Sequence, residues 1–261
     1  MNSNVGATHK EKNIYLWLTK FTNRNKKPEK TFCGTESRSL RTPSTDTTKH
    51  IATMNHPIRF TTPEEAVKVI KSGDHVHLSS VASVPQILVR AMTARGEAGE
   101  LQHVHIHHLH TEGEALYAVP EMEGIFQLDS FFVGGNVRNI TQQGFADYIP
   151  VFLSETQRLY RDGILPCNVA MIQVSTPDRH GYVSLGTSVD ATLAAVECAD
   201  TVIAVVNRHV PRSFGDSFIH TSQIDLFVED DTPLIEEHFA EPNDLECAIG
   251  RNCAALIEDG A

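Results

Sequence analysis

The chain lacks the short motifs that announce many common active sites. Its 261 residues hold no GxSxG elbow, no GxGxxG or GxxxxGKS/T phosphate loop, and no HExxH or CxxC pair. These absences remove the sequence signatures of serine hydrolases, dinucleotide and nucleoside-triphosphate cradles, zincins and paired-cysteine zinc sites. The five cysteines (Cys33, Cys167, Cys198, Cys247, Cys253) are an odd number with no secretory pattern read ahead of them. Reduced thiols in an intracellular, cytoplasmic setting are therefore expected. No apolar run approaches the roughly 20 residues that a membrane helix needs, so no membrane partner is expected. Positive charge is also short, with a net charge of -11. Binders of phosphate backbones carry basic patches that displace counterions, so no nucleic-acid partner is expected.

What is present is enough apolar surface for a real core, at 41% hydrophobic residues, and a length that holds one large or two small domains. Charge is unevenly spread. Residues 1–53 carry ten Lys/Arg against four acids, a net of +6, which leaves -17 for the rest of a chain of net -11. This Ser-, Thr- and Asn-rich leader shows little periodicity and is expected to be disordered. It reads as a targeting peptide, which would give a mitochondrial location, as a loose tail, or as a start codon set too early. The last is favoured, because Met54 stands directly before the first organised segment.

From there strands and helices alternate. Thr62-Pro63-Glu64-Glu65 is a capping box that starts a short helix closed by Gly73. Strands are predicted at His75–Leu78, Val104–Leu109, Phe126–Val133, Ile149–Phe152, Val169–Val174, Thr201–Val206 and Ile224–Glu229. Helices are predicted at Pro85–Arg95, from Asn136, from the second capping box Ser154-Glu155-Thr156-Gln157 to Gly163, and around Leu193–Cys198. Continuous β-branched runs joined by helices imply an α/β fold, a mainly parallel sheet with helices on both faces. Residues 54–235 read as that domain. Residues 236–261 read as a linker and one more helix, capped by Asn243, whose apolar stripe of Leu245, Ile249, Cys253 and Leu256 needs a partner.

Three loops at strand ends are candidate binding elements, because open α/β sheets bind ligands there. The loop Ser175–Asp190 is polar and glycine-containing; a surface hairpin is its plainer reading. Ser79 to Gln86 brings small residues and a helix N-terminus that suit an oxyanion or carboxylate, against an ordinary βα turn. Phe131 to Arg138 offers Gly134 and Gly135 for close approach and Arg138 for a carboxylate or phosphate, against a glycine cap and a solvated arginine. A cluster of histidines, His103, His105, His107, His108 and His110 with His75 and His77 before it, allows a metal-dependent hydrolase. Alternation would set His103, His105 and His107 on one face, with further ligands from His180, His209, His220 or Asp225. A partly buried strand with local hydrogen bonds is the competing reading. Cys167 reads as a structural thiol.

The blocks SSVASVPQ, HIHHLHTEGEALYA, FFVGGNVR, ADYIPVFLSE, QVSTPDRHGYVSLGTSVD and PRSFGDSFIHTSQID, in this order, resemble the amino-terminal half of the acetyl-CoA hydrolase/transferase family, which includes 4-hydroxybutyrate CoA-transferases. The likeness runs from about Ile58 to the end of the chain. It implies a CoA-transferase fold of the NagB/RpiA-like kind and a reaction between an acyl-CoA and a short-chain carboxylate such as acetate. In that family a glutamate carboxylate attacks the thioester and passes through a glutamyl-CoA intermediate. Coenzyme A would be a substrate, with no bound cofactor.

The family's nucleophilic glutamate belongs to a second domain, and this chain resembles the family only as far as the helix that opens it. None of Glu112, Glu114, Glu155 or Glu197 lies in the family's glutamate motif, so no catalytic residue and no metal ligand is carried over. The resemblance implies that Ser79, Ser83, Gly134, Gly135, Asn136 and Arg138, with His220, face the shared cleft. Two readings stay open: an enzyme component that acts with a missing second half or as a homo-oligomer, and a non-catalytic truncated paralogue that binds acyl-CoA or a full-length partner.

Overall fold

The structure is a computed structural model that describes residues 58–236 and 240–260; the basic leader and Met54 lie outside the described residues. The described residues run through nine strands, β1 (His75–Leu78), β2 (Val104–His108), β3 (Phe126–Ser130), β4 (Ala146–Tyr148), β5 (Val169–Val174), β6 (Tyr182–Ser184), β7 (Thr201–Asn207), β8 (Phe218–His220) and β9 (Leu226–Asp230). Six α-helices are described with them: α1 (Pro63–Ala66), α2 (Gln86–Glu97), α3 (Arg138–Gln142), α4 (Thr156–Arg161), α5 (Thr192–Cys198) and α6 (Asp244–Ala254). Seven strands form one parallel sheet in the order β4-β3-β2-β1-β5-β7-β9, while β6 and β8 pair as a separate antiparallel ribbon.

Side-chain alternation divides the core between the two faces of the sheet. Val76, Leu78, Val104, Ile106, Leu128, Met171, Ile203 and Val205 point to one face and pack with Leu88, Val89 and Met92 of α2. Ala170, Ile172, Val174, Val202, Ala204 and Val206 point to the other, against Leu159 and Tyr160 of α4 and Ala194, Ala195 and Val196 of α5. Central strands buried on both faces have no polar side, which is why β5 and β7 read as largely apolar runs, broken in β5 by Gln173. The expected α/β fold with helices on both faces is what forms.

Local details depart from the pattern where backbone chemistry overrides it. The strand expected at Ile149–Phe152 lies earlier, at β4, because Ile149 N–H makes a last bond to Ser130 O at 2.9 Å and Pro150 has no N–H to continue. Phe152 is exposed. The strand expected to reach Val133 stops at Ser130, and the helix expected from Asn136 starts at Arg138. Thr62 caps α1 as expected, its Oγ1 accepting from Glu65 N at 3.2 Å. The second capping box does not form. A 3-10 turn occupies Leu153–Glu155, and the Gln157 amide donates instead to Asp190 O at 2.7 Å. The segment Ser175–Asp190 is not a self-contained hairpin, since its strand β6 pairs with β8.

Candidate functional site at the sheet switch point

The chain builds β1 to β4 outward in one direction, then returns to lay β5 beside β1 and continues the other way. Such a reversal leaves a crevice at the carboxyl ends of the two strands, where the loops diverge. Here that crevice is bounded by the β1 loop Ser79–Pro85 and the β5 loop Ser175–Ala191. Backbone and hydroxyl bonds tie the two together: Ser188 Oγ donates to Ser80 O at 2.6 Å, and Ser83 Oγ meets Thr187 Oγ1 at 2.7 Å. The β2 loop joins them through Val81 N–H to His110 O at 2.9 Å. The β3 loop joins through Asn136 Nδ2, which donates to Thr111 O at 2.9 Å.

A cleft of about 220 Å3 opens beside these loops, lined by Ala82, Gln86, Arg90, Glu114, Gln173 and Thr232 among others. Gln86 stands at the first turn of α2 and donates to Glu112 O at 2.8 Å. Its buried Oε1 has no hydrogen-bond partner among the described residues, so it is an acceptor on the cleft wall. Arg90, one turn along, makes a 3.4 Å ion pair with Glu114, and both side chains are exposed. Exposed pairs of this kind contribute little, so an incoming carboxylate can exchange for Glu114 at small cost. Arg90 and the positive end of α2 on one wall suit an anionic group, while Glu114, Asp230 and the free Gln86 Oε1 make the rest of the lining acceptor-rich.

The backbone at the crevice is strained. Val81 has φ 53°, a left-handed conformation that a β-branched residue adopts only when its surroundings impose it, at about 1–3 kcal/mol. Its bond to His110 and its bridge to Thr111 supply that constraint. The composition of the loop gives no sign of this strain.

The sequence-predicted residues fall into three groups. Ser79 and Ser83 are fully buried and serve as loop anchors, not as groups open to a ligand. Gly134 packs against the His110 ring, where a Cβ would come within 2.6 Å of Cε1. Gly135, Asn136 and Arg138 are exposed on the β3 loop and at the start of α3. His220 stands on the ribbon, its ring against Tyr182 and its Nδ1 2.8 Å from Ser222 Oγ. Ser83, Gly134 and Asn136 are tied into the crevice loops through Thr187, His110 and Thr111, and His220 meets the β5 loop at Tyr182 on the ribbon. Of the cleft residues, Gln86 closes the loop that sequence picked out and Glu114 was weighed only as a nucleophile, whereas Arg90 and Gln173 were not named as candidates. A Gln and an Arg four residues apart on one face of α2 were the available signal.

The histidines fold differently from simple alternation. His103 has φ 54° and precedes β2, so it does not share the face of His105 and His107. The parallel register sets His75 beside His105 and His77 beside His107, with Asp129 next to His107. His105 Nδ1 lies 2.7 Å from Asp129 Oδ2, and His75 Nδ1 lies 3.0 Å from His107 Nε2. Burial first, then the neighbouring imidazoles, pulls His75 down to about 4. The Asp129 bond lifts His105 above its ordinary value. Burial works to raise the Asp129 carboxyl, but the bonds from His105 and His107 prevail and hold it at about 2. Of the additional ligands expected, His209 pairs with Asp231 and Asp225 accepts from Val202 N. His180 sits beside Arg179. Cys167 is buried and its thiol is pushed well up by desolvation, as a structural thiol would be.

Comparison with known proteins identifies the frame that carries this crevice. Residues 45–236 match the acetyl-CoA hydrolase/transferase N-terminal domain. The chain is 41% identical over 203 residues to 4-hydroxybutyrate coenzyme A transferase of Clostridium kluyveri, covering 78% of this chain and 47% of that protein. It is 36% identical over 199 residues to succinyl-CoA:acetate/propanoyl-CoA:succinate CoA transferase of Fasciola hepatica, covering 76% and 41%. Among solved structures, RipA from Yersinia pestis superposes with a TM-score of 0.72 at 30% identity, over 78% of this chain and 48% of that one. A 4-hydroxybutyrate CoA-transferase from Porphyromonas gingivalis gives 0.64 at 34% identity, over 77% and 46%. The chain spans about half the length of these relatives. It belongs to the acetyl-CoA hydrolase/transferase family, through that family's amino-terminal domain.

Proposed function

We propose that this chain supplies one wall of a CoA-transferase cleft, in which CoA passes between an acyl-CoA and a short-chain carboxylate such as acetate. The carrying observation is the crevice at the β1/β5 reversal, with Arg90, Gln86 and the start of α2 facing one cleft in a domain of this family. An acyl thioester and an acceptor carboxylate both place an oxygen where the Arg90 cation and the start of α2 can stabilise it. The described residues 58–235 would form this wall. The nucleophilic glutamate would come from polypeptide matching the other half of the relatives. Its carboxylate attacks the thioester carbonyl, expelling CoA thiolate and forming a mixed anhydride. The thiolate attacks the glutamyl carbonyl and releases the first carboxylate, leaving a glutamyl-CoA thioester. The acceptor carboxylate attacks that thioester, expelling CoA thiolate and forming a second mixed anhydride; the thiolate then attacks the acceptor's acyl carbonyl, which gives the new acyl-CoA and frees the glutamate carboxylate.

An assay of CoA transfer from acyl-CoA to labelled acetate tests this reading. The chain alone should give no turnover above the uncatalysed rate, and adding the second half of a family member in trans should produce it. Arg90→Ala should then lower that activity. Robust turnover by the chain alone, or an Arg90→Ala chain as active as the parent in the reconstituted assay, would refute the assignment.

A further inference from the structure

The face of the sheet opposite α2 carries a second group of polar side chains, none of which lines the switch-point cleft. His75, His105, His107 and Asp129 come from three adjacent strands and meet because parallel register sets them side by side. Buried polar clusters normally satisfy all their hydrogen-bonding atoms. This one does not: His107 is fully buried, and its Nδ1 has no partner among the described residues. One ligand atom from each of His75, His105 and Asp129 lies within 4.8 Å of the others. Around a tetrahedral zinc with bonds of about 2.0–2.2 Å, adjacent ligand atoms stand about 3.3 Å apart. Closing the group onto an ion therefore needs side-chain rotation, with no change of strand register.

We propose that His75, His105 and Asp129 form a binding site for a divalent transition cation of the zinc class, backed by His107. Two imidazoles and one carboxylate select such an ion over magnesium or calcium, which take oxygen ligands. His107 Nε2 lies 3.0 Å from His75 Nδ1 and 3.4 Å from Asp129 Oδ2. The same nitrogen thus faces two of the three ligands and, by accepting from His75 or donating to Asp129, orients one of them, as partners behind metal ligands do. Asp147, beside Asp129 on β4, adds negative charge to the approach. The His105 side chain is 35% exposed and that of Asp129 13%, so an ion can enter from solvent and keep water in its remaining position.

Calorimetric titration of the chelator-stripped chain with zinc tests the site, alongside cobalt(II) absorption spectra. One ion should bind per chain, and cobalt should give the intense visible bands of a four-coordinate site. His105→Gln and Asp129→Asn should each weaken binding at least tenfold, and His107→Gln by about 10–100-fold. His209→Ala should leave binding unchanged, because His209 belongs to a different ion pair, with Asp231. Absence of uptake at submillimolar zinc overturns the proposal, as does uptake that survives the folded His105→Gln and Asp129→Asn variants. Should a substitution prevent folding, nitrogen-15 ring spectra of the parent chain decide: the signals of His75 and His105 must shift with zinc, and unshifted signals overturn the site. Activity does not enter, so the outcome stands apart from the transferase reading.

Discussion

His110 Nε2 lies 2.6 Å from Glu112 Oε1, and the other edge of the same ring rests against the backbone of Gly134. One imidazole therefore joins the β2 loop to the β3 loop at the rim of the crevice. Its Nδ1 is buried with no partner among the described residues, and the Phe132 ring meets it edge-on at 5.4 Å.

This wedge predicts a coupling. In Gly134→Ala the new Cβ would lie 2.6 Å from His110 Cε1 and 2.7 Å from Nδ1, so the ring must move and its bond to Glu112 must break. The expected cost is about 1–3 kcal/mol. Adding His110→Ala should recover part of it, giving a coupling energy of about 0.5–3 kcal/mol in a double-mutant cycle. Urea denaturation of the four proteins measures this. Strict additivity would show that His110 and Gly134 do not act as one unit.

The β5 loop holds its wall position through Gly186, at φ 68°, where a Cβ would lie 2.3 Å from Val210 Cγ1 and 3.2 Å from Pro211 O. Backbone conformation and packing therefore act in the same direction. Gly186→Ala should destabilise by roughly 2–5 kcal/mol, the sum of a left-handed L-residue and overpacking. Thermal unfolding should show a clear fall in Tm. An unchanged Tm would mean that this loop is not fixed against the segment after β7.

The parts of this fold that the sequence discloses are those set by local composition. β5 and β7 are legible because burial on both faces demands largely apolar runs, and the switch-point loops because small polar residues end those runs. Strand order is a tertiary property, so nothing local says that the β1 and β5 loops become neighbours. The same limit hides the histidine group. His105 and His107 stand two apart on β2, but Asp129 and His75 reach them only through the register of neighbouring strands. Ile149–Phe152 misleads because apolar side chains look like a strand while Pro150 removes the N–H that a strand needs. Arg90 was passed over because helical polar residues are common on solvent faces.

The apolar stripe of α6 is exposed, Leu245 at 69% and Ile249 at 54%, and so is Leu256 just past the helix end, at 86%. Asn243 caps this helix through bonds to Leu245 N and Glu246 N, both at 3.0 Å, so the helix is locally well specified. Exposed apolar surface of this kind drives association. For the isolated chain, a second copy is the available cover. Sedimentation should show concentration-dependent self-association, abolished by joint Leu245→Gln and Ile249→Gln substitution without loss of Tm. A strictly monomeric parent chain at high concentration would contradict this.

His108 gives the most direct test of how the core treats ionisation. It points to the face of the sheet opposite His105 and His107, fully buried, with Tyr117 packed edge-on at 6.0 Å. Both ring nitrogens lack partners among the described residues. Burial, then the nearby His110 and His107, pulls its pKa down to about 3. The unfolded chain has the ordinary value of about 6.5 and so binds the extra proton first as pH falls. This contribution to stability is intact above about pH 6.5 and is lost progressively between there and about pH 3, by about 1.4 kcal/mol per pH unit. His108→Leu removes the titration and the two unpaired nitrogens together. The variant should be more stable than the parent at pH 7.5 by about 1–3 kcal/mol. Its advantage should widen on acidification to pH 5, because only the parent carries this pH dependence. Guanidinium unfolding at the two pH values measures both effects. A parallel loss of stability in the two proteins would show that His108 is protonated or solvated in the folded state.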